Sequence, residues 1–257
     1  MDLQLAGKVA IITGASRGIG RAIAQTLAAE GMQLVLVARS RSQLDQLAVS
    51  LGVACLVQAV DLRVPVVPEA VVAAAVARFG QLDLLVNNAG ATTRGDFLSL
   101  TDASWGDGFA LKFFGAMRCS RAAWPHLRAS QGSIVNIVGI GGRTGSAEFA
   151  IGGAVNAALL NLTKVLADRG VYDGVRVNAI NPGSIRTDRL QIRLDRFAVE
   201  QGVDEAAAAE QMAQAQGVTR FGDPVEIAHA VAFLASPQAA YCQGAILDID
   251  GGQTRTL

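Results

Sequence analysis

The chain is poor in several residue types that carry familiar chemistry. Its three cysteines, Cys55, Cys119 and Cys242, are odd in number and widely spaced. They frame neither a disulfide scaffold nor a metal cluster, and they suit a reducing cytoplasm. An excess of either charge is also absent: 22 basic and 22 acidic residues balance, which removes the electrostatic case for nucleic acid or an anionic membrane as partner. No apolar run approaches the roughly 18 residues of a membrane span. The opening "MDLQLAGKVAIITGASRG" has an early Asp and no apolar h-region, so a secretory signal is not expected. Tyrosine occurs only twice (Tyr172, Tyr241) and histidine twice (His126, His229). Lysine occurs three times (Lys8, Lys112, Lys164), beside 19 arginines.

What is present is apolar and periodic. At 257 residues and 51% hydrophobic, the length fits one α/β domain over 1–257 better than two small ones. Seven short, nearly continuous apolar runs read as strands buried on both faces: 8–14, 33–39, 54–62, 82–90, 132–139, 175–183 and 244–252. Helical patterns lie between them, among them 18–30, 102–129, 149–169 and 224–235. Strand–helix alternation with right-handed crossovers predicts a three-layer, doubly wound, Rossmann-like parallel sheet of seven strands. Residues 185–220 escape the alternation. They are polar, helix-prone and follow a strand's carboxyl end, where ligands of such sheets bind, so they read as a lid or substrate segment.

"TGASRGIG" (13–20) follows the first strand and opens the first helix. In that context Gly14 permits the tight turn, Gly18 lets the backbone approach a pyrophosphate, and Gly20 lets helix and strand pack closely, with Ser16, Arg17 and Ile19 between them. The spacing Gly-x-x-x-Gly-x-Gly, with "NNAG" (87–90), "NPGSIRT" (181–187) and the closing "DIDGG", resembles the short-chain dehydrogenase/reductase family over residues 6–252. The resemblance implies a nicotinamide cofactor. NAD-dependent enzymes of this architecture place an acid after the second strand to bind the ribose 2′-hydroxyl. Here the strand runs into Ala38, Arg39, Ser40 and Arg41. Arg17 and Arg39 suit a 2′-phosphate instead, which favours NADP over NAD; arginines paired with surface acids are the plain alternative. By the same resemblance, Asp61 and Leu62 meet the adenine, and Asn88, Ala89 and Gly90 the adenosine ribose. Pro182, Gly183, Ile185 and Thr187 lie along the nicotinamide half.

The family's catalytic Asn, Ser, Tyr and Lys are all replaced. By spacing, Gly139 stands for the Ser, Gly152 for the Tyr, Asn156 for the Lys and Lys112 for the Asn. Neither tyrosine of the chain is available to substitute. Loss of a general acid costs about 10²–10⁴ in rate, so carbonyl reduction by the usual tetrad is excluded. Yet Lys112 and Asn156 are the family's two residue types exchanged, and a lysine is scarce here. Lys112 is therefore a candidate acid, base or oxyanion partner that reaches into the space vacated by the Tyr; the competing reading has it filling a hole and pairing with a carboxylate. Gly152 and Gly153 weaken a helix interior, which suggests close approach by a ligand or by Lys112; the alternative is a decayed Tyr position that leaves a water-filled gap.

Other residues read more plainly. His126 and His229 belong to helices away from the cleft, and Glu148 is a solvated loop acid. Arg186, Arg189, Arg193 and Arg196 recur at helical spacing and could clamp a carboxylate or phosphate on a substrate, but Asp188 and Asp195 are interleaved, and an internally paired face is the plainer reading. Three functions stay open on the sequence: an NADP(H)-dependent oxidoreductase with a rearranged active site acting on a small molecule, a cofactor-binding protein without turnover, or a non-redox enzyme using the same cleft. The apolar helices 102–129 and 149–169 exceed what one sheet face needs. In the resembling family they pair across subunits, so a homo-oligomer, tetramer or dimer, is expected.

Overall fold

The computed structural model describes residues 1–255. Seven parallel strands form one sheet in the order β3-β2-β1-β4-β5-β6-β7. They are Val9–Thr13, Gln33–Ala38, Cys55–Ala59, Leu84–Asn87, Ser133–Ile137, Arg176–Pro182 and Ile246–Ile249 for β1 to β7. Each lies inside a run expected from sequence and is shorter than it, because the flanking residues turn out of the sheet into loops. Alternate residues of β1 serve opposite faces. Ala10 and Ile12 join a core with Ile23, Leu27, Leu44, Ile227 and Val231, whereas Val9 and Ile11 join one with Val71, Ala75, Cys119, Ala123 and Leu127. The chain reverses its direction of winding between β1 and β4, and ligands of such sheets bind at the carboxyl ends beside that reversal.

Helices cover both faces: α1 Gly18–Ala29, α2 Arg41–Ser50, α3 Val67–Phe79, α4 Asp102–Phe109, α5 Ala116–Ser130, α6 Ala150–Asp173, α7 Asp188–Gln201, α8 Glu205–Ala215 and α9 Pro224–Ala235. The single helix expected over 102–129 is in fact interrupted by a π turn, Ala110–Gly115, between α4 and α5. A π turn carries one extra residue and is enriched at functional sites; here it holds Lys112. The helix expected over 149–169 continues to Asp173 and stops at Gly174, whose left-handed conformation caps it. Together with its preceding turn, α6 (Ala147–Asp173, mean hydropathy 1.4) is long and apolar enough to cross a membrane by composition, contrary to the expectation from uninterrupted runs. Its buried Ile151, Val155, Leu159 and Thr163 instead pack it into the domain, and Asn136 donates to the Thr163 hydroxyl at 2.9 Å.

The segment after β6 forms α7 and α8 with a small core of its own, made by Leu190, Leu194, Met212, Ala213, Val218 and Phe221. Its two ends meet: Ile185 bridges Gly222 in parallel, the Arg186 amide donates to the Gly222 carbonyl at 2.8 Å, and the Gly222 amide donates to Ser184 at 3.0 Å.

Candidate active site

The ends of β1 and β4 are tied by short bonds. The Thr13 hydroxyl donates to the Val86 carbonyl at 3.1 Å and accepts from the amides of Asn88 and Ala89 at 2.9 and 3.0 Å. Asn88 Nδ2 returns to the Thr13 carbonyl at 2.9 Å. This lattice holds the glycine turn against the β4 loop. A Cβ at Gly20 would overlap the Gly14 carbonyl, so the close helix–strand approach expected of Gly20 is real. A cavity of about 340 Å³ opens there, lined by Gly14, Ser16, Arg17, Gly18, Ile19, Gly20, Arg39, Ser40, Asp61, Leu62, Asn88, Ala89, Gly90 and Thr187. The sequence had assigned all of these to the cofactor. Gln43, Ala91, Leu111, Asp188 and Arg189 line it too and were not expected there.

Three expected cofactor residues do not line that cavity. Pro182 ends β6 and is buried. The Gly183 Cα packs so closely on Asp250 that a Cβ would lie 2.8 Å from its Cα. The Ile185 side chain is turned into the main core, with only 8% of the residue exposed. The arginines expected at a 2′-phosphate are both exposed. Arg17 lies 3.8 Å from Asp188, itself 69% exposed, a loose surface pair of little energetic consequence. Among the described residues Arg39 has no carboxylate within ion-pair distance, although its charge helps lower the pKa of Asp61. Burial pushes that carboxyl up, but hydrogen bonds from Arg63 outweigh it and bring the net shift down.

Lys112 and Asn156 do not line that cavity; they meet instead at the end of β5, on neighbouring carbonyls. The Lys112 stem lies against Gly90, whose Cβ would come 3.0 Å from Lys112 Cδ. Its Nζ donates to the Val138 carbonyl at 2.5 Å. Asn156 Nδ2 donates to the next carbonyl, that of Gly139, at 3.3 Å, while its Oδ1 is buried without a partner. The residue Lys112 is half-buried. Burial, then the charge of Arg189, lowers its pKa from 10.5 to about 7. No carboxylate pairs with it among the described residues, so the hole-filling ion pair weighed from sequence is not formed. Gly139 itself has φ 120°, a conformation that disfavours any residue with a Cβ. Its amide donates to Asn181 Oδ1 at 3.3 Å, Asn181 donates to Asp248 at 2.8 Å, and Arg143 holds Asp248 at 2.5 Å. A serine at 139 would not fit this backbone without strain.

Where the sequence anticipated Lys112 or a ligand beside Gly152, the structure places an aromatic ring. Phe149, at the start of α6, folds back so that a Cβ on Gly152 would overlap its ring, and a Cβ on Gly141 would lie 2.8 Å from its Cε1. The Arg94 guanidinium covers the ring at 4.3 Å from its centroid. Lys112 is turned instead toward the end of β5, because the Val138 carbonyl offers its amine a partner. From the other side, Arg189 Nη2 donates to the Gly90 carbonyl, spanning the cleft from α7 to the β4 loop. The internally paired arginine face expected on α7 does not form. Arg186 pairs with Asp223 at 3.8 Å and Asp188 with Arg17, while Asp195 accepts from Gln191. His126 is half-buried on α5 and His229 exposed on α9; neither lines the cleft.

A doubly wound sheet with a glycine-turn cavity at its switch point defines a dinucleotide-binding protein of the Rossmann type. The comparisons place it further. A family profile described as enoyl-(acyl carrier protein) reductase matches residues 14–254. An uncharacterised oxidoreductase of Mycobacterium tuberculosis is 38% identical over 256 residues, covering 98% of this chain and 94% of that protein. The crystal structure of L-sorbose reductase from Gluconobacter frateurii, complexed with NADPH and L-sorbose, superposes with a TM-score of 0.96 at 36% identity, covering 100% of both chains. A short-chain oxidoreductase from Pseudomonas aeruginosa, described as containing an atypical catalytic center, does so with 0.92 at 30% identity over 98% of this chain and 99% of that one. The chain belongs to the short-chain dehydrogenase/reductase family.

Proposed function

We propose that this protein is an NADP(H)-dependent oxidoreductase interconverting a carbonyl and an alcohol, with Lys112 as the acid–base group and Asn156 as the anchor of the cofactor ribose. The observation that carries the reading is the seating of these two side chains on consecutive carbonyls, Val138 and Gly139, at the end of β5. The residues present fit the cofactor. Asn156 Oδ1 is a buried acceptor awaiting a donor, which a ribose hydroxyl supplies. The glycine turn offers amides to a pyrophosphate, and Arg17 and Arg39 offer guanidinium groups to a 2′-phosphate. When bound, the nicotinamide gives or takes the hydride.

The chain's own residues then handle the proton and the fit. Lys112 lies near its titration midpoint at neutral pH, so it can give a proton to the substrate oxygen in reduction and take one in oxidation. The ring of Phe149 fills the vacated side-chain space and excludes water from it. Arg189 bridges α7 to the β4 loop and holds the lid segment across the cleft.

Fluorescence titration with NADPH, followed by a panel of ketones and alcohols, tests the reading; binding without turnover anywhere in the panel would make the protein a cofactor-binding subunit. The cofactor half is tested separately. Arg39→Asp is expected to weaken NADPH by roughly 5- to 30-fold or more, since reversing a charge that neutralises a phosphate costs at least about 1–2 kcal/mol, and to leave NADH far less affected. Unchanged NADPH affinity would remove Arg39 from the site.

We also infer a cytoplasmic homo-oligomer, a tetramer before a dimer. Free thiols at Cys55, Cys119 and Cys242 support the compartment, and exposed Val165, Val171 and Tyr172 on α6 support the assembly. Sedimentation at micromolar concentration should give a species larger than one chain; a monomer would refute it.

A further inference from the structure

The segment that leaves β6 is fixed at its root by backbone bonds. The Arg186 amide donates to the Gly222 carbonyl at 2.8 Å, and the Gly222 amide donates to the Ser184 carbonyl at 3.0 Å. The next three residues, Thr187, Asp188 and Arg189, all line the nucleotide cavity. They run across it as a strap whose side chains reach both sides. The Thr187 methyl lies against the glycine turn, where a Cβ on Gly18 would come 3.2 Å from it. Asp188 reaches Arg17 of the same turn at 3.8 Å. Arg189 reaches the other way, and its Nη2 donates to the Gly90 carbonyl in the β4 loop.

These contacts differ in strength. Thr187 on Gly18 is a van der Waals contact, small on its own. Asp188 and Arg17 form a loose pair with both side chains mostly exposed, so solvent screens it. The Arg189 bond is charge-assisted and belongs to a stronger class. It therefore carries the closure on the β4 side. A guanidinium has five N–H donors, and the Gly90 carbonyl takes only one group of them. The others are left for a second acceptor in the cavity that Arg189 lines. The glycine turn at the start of α1 suits a pyrophosphate, and the strap starts from that turn.

Resting on the NADP(H)-dependent reading above, we propose that Arg189 is the latch that retains the dinucleotide: it fastens the Thr187–Arg189 strap to the Gly90 carbonyl and offers its remaining donors to the cofactor's pyrophosphate. The latch sets how long the cofactor stays bound. It acts on NADPH and NADH alike, because both carry the pyrophosphate, whereas Arg39 acts at the 2′-phosphate. The two arginines are therefore separable by experiment.

Stopped-flow displacement of NADPH and of NADH from the full-length protein, followed by nicotinamide fluorescence, tests the latch without a substrate. In Arg189→Gln the dissociation rate of each dinucleotide is expected to rise by about tenfold or more, the weight of a charge-assisted hydrogen bond. The association rate should change far less, since losing a hydrogen-bonded charge acts mainly on dissociation. Adenosine 2′,5′-bisphosphate carries the adenosine end without a pyrophosphate. Its affinity, measured by calorimetry, should be retained in Arg189→Gln and reduced in Arg39→Asp. Unchanged dissociation of both dinucleotides in Arg189→Gln would overturn the latch while leaving the oxidoreductase reading intact. Equal losses for the bisphosphate and the dinucleotides would overturn it too, because Arg189 would then only shape the adenosine pocket. If NADPH does not bind the unaltered protein, the oxidoreductase reading and the latch fall together.

Discussion

Lys112→Met is expected to lower turnover by at least about 10²-fold, the range lost with a general acid, while NADPH still binds. The pH profile separates a chemical role from a merely structural one. With a pKa of about 7, Lys112 is protonated below neutrality, so kcat/KM for carbonyl reduction should fall as pH rises through 7, and alcohol oxidation should rise across the same interval. The variant should lack this limb. Stability gives an independent readout. A lysine whose pKa falls from 10.5 in the unfolded chain to about 7 in the folded one is bound to its proton more tightly when unfolded. Below pH 7 it therefore costs stability in full, and the cost is relieved as pH rises from 7 toward 10.5. Urea midpoints should show Lys112→Met gaining on the unaltered protein at pH 6 and losing that advantage by pH 10. A pH limb that persists in the variant would assign the titration to another group.

The second large effect runs against helix propensity. Gly152→Ala would gain up to about 1 kcal/mol in an unobstructed helix. Here the new methyl would overlap the Phe149 ring, and overpacking of that kind costs about 1–3 kcal/mol. The expected result is a net loss of about 1–2 kcal/mol by urea denaturation. Placing the same substitution on Phe149→Ala should turn the loss into a gain, because the obstruction has gone. The coupling in that double-mutant cycle measures the ring's claim on the glycine. A stabilising Gly152→Ala in the unaltered background would show that the ring does not need the space.

Much of this architecture was legible in the residues. The strand runs are apolar on both faces because helices cover both, and the glycine turn announces itself by its position between β1 and α1. The exchanged pair Lys112 and Asn156 was visible as spacing, and the structure does bring the two to neighbouring carbonyls. Their partners were not visible, since a backbone carbonyl such as that of Val138 has no sequence signature. The π turn at Ala110–Gly115 was hidden for a similar reason: an extra residue in a helical turn leaves composition unchanged. Phe149 was the legible clue that went unread. An aromatic three residues ahead of a helical glycine, with Gly141 nearby, is positioned to fold over the gap. The interleaved acids of α7 suggested arginine partners within the helix, whereas Asp188 pairs with Arg17 on the glycine turn and Asp195 accepts from Gln191 rather than from an arginine.

The meeting of Ile185 and Gly222 has a consequence for how such a protein diversifies. The segment between them leaves and re-enters the domain at one point and carries its own small core, so its ends are already closed at the base. Replacing that segment by one of different length or chemistry adds little loop-closure entropy and leaves the ladder of β6 and β7 untouched. The region is a self-closed unit, and exchanging it would change the cleft residues it carries, Thr187, Asp188 and Arg189, while the strands of the sheet stay as they are.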